Sequence, residues 1–329
     1  MADEPLLPVL DVLPRHAYPF LWADYVELLC LCSRNGHVSK GNVQAQAQEA
    51  RDLQADADEN DDDNDDDDDA PAAVDDRVSA RWADIHLRLQ ARSVSFPGWP
   101  FTLEKDLIRS RFDSANPAHQ LYAALLIASS LRLCNPKRSG EVTSAFEEIS
   151  YHWLRGALNP LWEVRPFGAH QTLPSAYTGT LYEKLTLLAQ DIRGVLMKPE
   201  DDYGPTNTGD GGIDLVAWQR MGDKRGNMPV IFGQCACSPT DWESKQLDVT
   251  PSSTEAHIQP QHPGAAFCFV PHDLSLDERT WQRASHVKRT VVVDRLRMLQ
   301  LFEQTNTWTN LPNWAFVADA TATGATAAT

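Results

Sequence analysis

Apolar positions gather in compact runs along the first third of the chain. Trp22, Tyr25, Val26, Leu28, Leu29 and Leu31 crowd one stretch that Pro19 precedes and Ser33-Arg34-Asn35-Gly36 stops, which predicts a helix. The Ala/Gln/Glu run 44–54 reads as a polar continuation. Trp82, Ile85, Leu87 and Leu89 begin a second helical segment, broken by Pro97-Gly98-Trp99-Pro100. Thr102 then reads as the N-cap of a third helix. From His119 to Leu133, with Tyr122, Leu125, Leu126, Ile127 and Leu131, the pattern is apolar nearly all round, as in a buried helix. The expectation is a helical N-terminal region.

The pattern changes after the turn cluster Asn135-Pro136-Lys137-Arg138-Ser139-Gly140. Thr143 to Leu158 is amphipathic, with Phe146, Ile149, Trp153, Leu154 and Leu158 on its apolar side. Trp162 to Gly168 reads as a short strand running into a turn, and Leu181 to Val195 as another amphipathic helix. Three further strands are predicted at 212–218, 230–237 and 265–270, and the segment Arg289 to Phe302 opens with the β-branched run Thr290-Val291-Val292-Val293 and ends helix-like. The fold class expected is α/β, a mixed central sheet flanked by helices. The segments are 1–51 helical, 52–76 acidic and disordered, 77–140 helical, 141–312 the α/β domain, and 313–329 a low-complexity Ala/Thr-rich tail that frays.

Charge alters this picture in one place. The net charge of −17 is concentrated: residues 52–76 hold 14 acids and no Lys or Arg, and without them 32 acids face 29 bases. The global acidity therefore says little against nucleic-acid binding by the folded part. The acidic run is read as a solvated insertion, with a DNA-mimicking plug or a docking tail as alternatives. No apolar run approaches about 18 residues, so no membrane span is expected. Met1-Ala2-Asp3-Glu4-Pro5 has no signal-peptide character, and the six cysteines show no disulfide framework, so a reduced, cytoplasmic protein is expected.

One constellation carries chemistry. Gly209-Asp210-Gly211-Gly212-Ile213-Asp214 is a glycine-rich turn feeding an apolar strand, and Asp214 is a lone acid in that strand. A buried carboxylate needs a partner, and a metal ion is one. Asp210, beside glycines, reads as a turn residue. A charged loop with Lys224 and Arg225 leads to a second strand, Val230 to Cys237, with Gln234 as its polar member. Alternation along a strand would place a residue at 236 on the same face as Gln234.

Gly-Asp-Gly-Gly-Ile-Asp-Leu followed by a strand ending Gly-Gln-Cys resembles the core of Mrr-type restriction nucleases of the PD-(D/E)XK superfamily. The resemblance covers about 143–250. It implies a restriction-endonuclease-like fold in which Asp214, Gln234 and a helix carboxylate at Glu147, with Glu148 as its rival, hold Mg²⁺ or Mn²⁺. The family lysine belongs two residues after Gln234, and that position is Ala236. Lys245, in Asp241-Trp242-Glu243-Ser244-Lys245, is read as a migrated replacement ahead of Lys224; the other possibility is a site that binds without cutting. The implied activity is cleavage of DNA phosphodiester bonds in a bacterial defence or restriction context, with Glu147, Asp214, Gln234 and Lys245 as the catalytic set. The alternative is a catalytically inactive nuclease-fold subunit that binds nucleic acid or scaffolds a defence complex. The partners implied are DNA, with RNA left open, other subunits of such a complex, and a second copy of the chain; no membrane is among them.

The remaining motifs are weaker. Cys235, Cys237, Cys268 and His272 allow a zinc reading, but buried free cysteines behave as small hydrophobes. The glycine spacing fits neither the Walker pattern nor the dinucleotide fingerprint, and no nucleophile elbow is present. His152 reads as a helix-surface residue. Arg279, Arg283, Lys288, Arg289, Arg295 and Arg297, interleaved with Trp281 and His286, resemble a phosphate-contacting surface, with Arg283, Lys288 and Arg289 as the candidate contacts.

Overall fold

The computed structural model describes residues 4–8, 10, 13–14, 19–46, 71–168, 170, 172–173, 175–277 and 279–322, with 71–80 as backbone only. The chain forms two compact units, Met1–Ser139 with Asn313–Thr329, and Gly140–Pro312.

In the first unit, helix α1 (Pro19–Cys32) is apolar on every side and buried throughout its middle, so its two acids need internal partners. Both have them. Arg92, on helix α2 (Pro71–Ser95), reaches Asp24 at 2.7 Å and Glu27 at 2.8 Å, and Tyr122 and Trp99 each donate to Glu27 at 2.7 Å. Helix α3 (Pro117–Ser129) is capped by Asn116, whose side chain accepts from the Ala118 and His119 amides.

Three expectations fail in this unit. Thr102 does not cap a helix. Strands β1 (His37–Ser39), β2 (Phe101–Glu104) and β3 (Leu107–Ser110) form an antiparallel sheet in the order β1-β3-β2. The Phe101/Leu103 alternation and the Lys105-Asp106 turn outweigh the local cap signal. The acidic segment was expected to stay disordered to residue 76, yet α2 starts at Pro71, a residue tolerated in a first helical turn and followed by Ala72-Ala73-Val74; residues 52–70, and 47–54 of the polar run, lie outside the described residues. The tail does not fray at 318. Ala315–Ala322 is a helix that buries Phe316, Val317 and Ala320, a spacing that gives one apolar face; 323–329 lie outside the described residues.

The second unit is mixed α/β. Helix α4 (Ser139–Ala157), strand β4 (Trp162–Pro166), helix α5 (Leu181–Ile192) and the short strand β5 (Val195–Leu196) are followed by β6 (Leu215–Gln219) and β7 (Val230–Cys235). Two one-turn helices, α6 (Trp242–Lys245) and α7 (Pro251–Thr254), precede β8 (Ile258–Gln259), β9 (Ala265–Phe269), β10 (Val291–Val293) and helix α8 (Arg295–Thr305). The five-stranded sheet has the order β10-β9-β7-β6-β4; β7, β9 and β10 are parallel, and β6 is antiparallel to both β7 and β4. β5 and β8 pair separately.

Helices cover both faces of this sheet. Leu181, Leu185, Leu188 and Ile192 of α5 pack on Val216, Trp218, Val230 and Phe232. On the other face, Trp153 of α4 lies 5.7 Å from the Phe269 ring and 6.4 Å from Phe267. Because β6 runs against β7, the start of β6 and the end of β7 lie at the same end of the sheet, and Asp214 and Cys235 meet there. No helix among the described residues is long and apolar enough to cross a membrane.

Candidate functional site

The site begins with the turn that delivers Asp214. Gly211 and Gly212 have φ of 66° and 81°, a left-handed pair that side chains resist. The Asp210 carboxylate accepts the Gly212 N–H at 2.8 Å, closing an Asx-type turn. Lys184, buried on α5, donates to the carbonyls of Thr208 at 2.6 Å and Gly209 at 3.0 Å. A lysine from the neighbouring helix thus pins the glycine-rich loop, a role with no local signal in the sequence.

Asp214 is locked twice to β7. Its N–H donates to Gly233 O at 2.9 Å, and its carboxylate accepts the Cys235 N–H at 2.6 Å. Burial pushes its carboxyl up to about 8, Glu147 and Asp210 add to the rise, and the Cys235 N–H and Lys245 oppose it.

Glu147 approaches from α4. Burial raises its carboxyl to about 7, with Asp210 adding to the rise and Lys245 opposing it. His170 Nε2 lies 3.7 Å from a Glu147 oxygen and donates to Ser144 O at 3.0 Å, while Nδ1 accepts the Thr172 and Leu173 amides. Those partners define the neutral Nε2–H tautomer, and burial depresses the ring's basicity in the same direction. Glu148, the rival, is buried beside His152 and His170. Of the two glutamates, Glu147 is the one that meets Asp214.

Gln234 sits across the β6–β7 pair from Asp214. Alternation puts it on the Phe232 face, and its side chain is only 6% exposed. Its amide nitrogen donates to Cys235 O at 3.3 Å rather than to either carboxylate, and Oε1 has no partner. An unsatisfied buried oxygen costs about 1–3 kcal/mol, which a ligand would recover. Ala236 is buried, and its N–H donates to Phe269 O at 2.9 Å. The position at which the resemblance expects a lysine is therefore a sheet-bonded core position.

The lysine among the acids is Lys245. It ends α6, is exposed, and lies near enough to oppose the upward shifts of Glu147, Asp214 and Asp248. Asp248 was not anticipated. It follows Lys245 in the same turn, its N–H donating to Lys245 O at 3.0 Å. Gly212 gives it room: a Cβ there would lie 2.8 Å from the Asp248 Cβ. Lys224 is exposed on the β6–β7 loop.

Two other groups of candidates lie outside this cluster. The thiols of the zinc set are core groups: burial pushes Cys268 up to about 12 and Cys235 well above its ordinary value, Asp214 adding to both. Of the basic segment, Arg295 is buried on Pro271 O at 2.8 Å, and Arg297 bonds Val292 O while its guanidinium lies 4.7 Å over the Trp281 ring. Both are tied to their own unit because they fall after β10, in the first turn of α8. Arg283, Lys288 and Arg289 are exposed. A separate cavity of about 310 Å³ lies near the far end of β6, where Arg165 pairs with Asp191 at 3.0 Å.

No protein-family model, curated protein or solved structure matches the chain. The site must be judged on its chemistry. Among the described residues, no three His, Cys, Asp or Glu side chains are grouped so as to hold a metal ion. A hard divalent cation needs only one or two carboxylates, with carbonyl-type oxygens and water completing its shell. Glu147 and Asp214 supply two carboxylates whose charged forms burial disfavours, which a cation would offset, and Gln234, on the Phe232 face of β7, has an unpartnered amide oxygen. The donor set fits Mg²⁺ or Mn²⁺ better than zinc.

Proposed function

We propose that the Gly140–Pro312 unit is a metal-dependent endonuclease with a restriction-endonuclease-like fold, acting on DNA phosphodiester bonds. The observation that carries the reading is Asp214 itself, an acid at the start of β6 whose carboxylate is fixed at 2.6 Å on the Cys235 N–H at the end of β7, with Glu147 and Lys245 near enough to bias its charge. The chain order also supports it: a helix with Glu147, a strand, then a hairpin with Asp214 and Gln234. Glu147 and Asp214, with the Gln234 oxygen, would hold Mg²⁺ or Mn²⁺, which when bound polarises a phosphate and acidifies water. Lys245 would face the charge that develops on the phosphate. Burial favours the protonated form of Glu147, so a bound cation would displace a proton there. Asp214 is held too rigidly by two main-chain bonds to move during a cycle, so its part is to orient. The bacterial defence setting follows from the resemblance alone.

One observation favours a second reading, a nuclease-fold subunit that binds nucleic acid without cutting it: the family's lysine position is filled by Ala236, buried in the sheet. Plasmid and single-stranded DNA cleavage in Mg²⁺ or Mn²⁺, with EDTA as control, separates the two. The nuclease reading expects cutting by the wild type that is lost in both Asp214→Ala and Lys245→Ala and retained in Lys224→Ala. Cutting that survives Asp214→Ala overturns the assigned site. An inactive wild type that still binds DNA supports the subunit reading.

A further inference from the structure

Gln246 is fully buried, yet its side chain spends none of its hydrogen-bonding capacity on solvent or on the sheet. Nε2 donates to Glu243 O at 3.0 Å and to His286 O at 2.8 Å. Oε1 accepts the Lys288 N–H at 2.9 Å and the Thr290 hydroxyl at 3.1 Å. All four bonds available to a glutamine amide are made. Three of them cross 40 to 44 residues of chain to reach a single loop. A further tie runs beside them, from His286 Nδ1 to a Glu243 oxygen at 2.5 Å. None of residues 279–289 that the structure describes is buried, so this loop is held by polar ties rather than by a core of its own. Its exposed cations include Lys288 and Arg289, and the turn it is tied to carries Lys245.

We infer that the loop 283–290 and the turn 241–248 form one phosphate-binding surface beside the carboxylates, and that Gln246 is the positioning residue that holds its two halves in register. This rests on the nuclease reading. A polyanion approaching the site meets the carboxylates of Asp210 and Asp248, whose charge Lys245 alone does not cancel. Lys288 and Arg289 supply attraction at a fixed offset from the acids, so a backbone seated on the loop presents its next phosphates toward Lys245. Phosphate contacts of this kind fix register and orientation and carry no sequence preference. Arg297 and Arg295, engaged with Val292 and Pro271, lie outside this surface.

The test is binding of the full chain to a fluorescein-labelled DNA duplex by anisotropy in EDTA, across about 50 to 200 mM salt. The Lys288→Gln/Arg289→Gln variant should bind at least about tenfold more weakly, with a salt slope shallower by about two. Gln246→Leu removes no charge, yet it should weaken binding comparably and raise KM for cleavage, with the salt slope of binding shallower than in the wild type. A cooperatively melting Gln246→Leu protein with wild-type affinity and salt slope overturns the inference. If that variant does not fold, the charge variant decides, and its binding like wild type overturns the inference equally. Cutting and binding by the wild type that ignore the loop variants would sink only this inference. A wild type that neither binds nor cuts would sink the nuclease reading with it.

Discussion

The Asp214 carboxylate accepts the main-chain N–H of Cys235 at 2.6 Å, in the place where a backbone carbonyl would otherwise continue the β6–β7 ladder. An acid is built into the end of the central strand pair as a structural acceptor, and burial raises its carboxyl to about 8, against an ordinary value of 3.8. A carboxyl raised on folding contributes stability that is complete below its unfolded value and is lost as pH rises through the folded one. Glu147, raised from 4.5 to about 7, acts with the same sign. The metal-free protein should therefore lose melting temperature progressively between about pH 4 and pH 8. Asp214→Asn keeps an oxygen for the Cys235 N–H and removes the charge. It should be more stable than wild type near pH 8, by about 1–3 kcal/mol, with a flatter pH profile. Thermal melts in EDTA across that range check this; a wild type whose melting is flat, or an Asn variant that is less stable near pH 8, contradicts it.

A cation that binds Glu147 and Asp214 must displace the protons they hold at neutral pH. Affinity for Mn²⁺ should thus rise with pH from about 6 to 8, by up to about tenfold per unit for each proton displaced. Excess Mn²⁺ should raise the melting temperature of the wild type more near pH 8 than near pH 6. The Asp214→Asn variant should show little of this response. Calorimetric titration in two buffers of different ionisation enthalpy reads the proton release directly. Binding that is independent of pH, or equal in the Asn variant, would remove these two carboxylates from the cation site.

The parts of this site that were readable in sequence are those whose signal is local. An acid inside an apolar strand, after two glycines, marks Asp214; amphipathic spacing marks the helix of Glu147. The residues that were not readable act across folds of the chain. Lys184 reaches the glycine loop 24 residues away, and His170 touches the helix from a loop with no regular pattern. Asp248 joins the acids only because α6 turns the chain back after β7, and Asp210 proves to be both turn former and neighbour to the acids. The same contrast explains the first unit. A run that is apolar on all sides is visible as a buried helix, but nothing in the run itself tells that Asp24 and Glu27 await Arg92 from α2. At Thr102 two local signals compete, and strand pairing with residues 37–39 and 107–110 decides between them.

Lys184 gives a prediction about how the loop is held. Lys184→Met keeps most of the side chain's bulk and leaves the Thr208 and Gly209 carbonyls without their donor. The expected cost is about 1–3 kcal/mol, or about 2–4 °C of melting temperature per kcal/mol. Backbone amides at 209–212 should also exchange with solvent faster, while those of α4 are unchanged. Uniform loss of protection would assign Lys184 to general packing instead of to this loop.

Gly212 offers the sharpest test of whether Asp248 belongs with the acids. Its φ of 81° is strained for any side chain, and a Cβ there falls 2.8 Å from the Asp248 Cβ. Gly212→Ala should cost about 1–3 kcal/mol from backbone strain. It should also push the 245–248 turn away from Glu147 and Asp214, because Asp248 is fixed to Lys245 by a main-chain bond and must carry that residue with it. Pairing Gly212→Ala with Asp248→Gly separates the two effects: the second change removes the clash and leaves the strain. Cleavage that falls in Gly212→Ala and recovers in the double variant, with melting temperature still lowered, is the expected pattern. Recovery of neither would mean that strain in the glycine turn, and not the position of Lys245, governs activity.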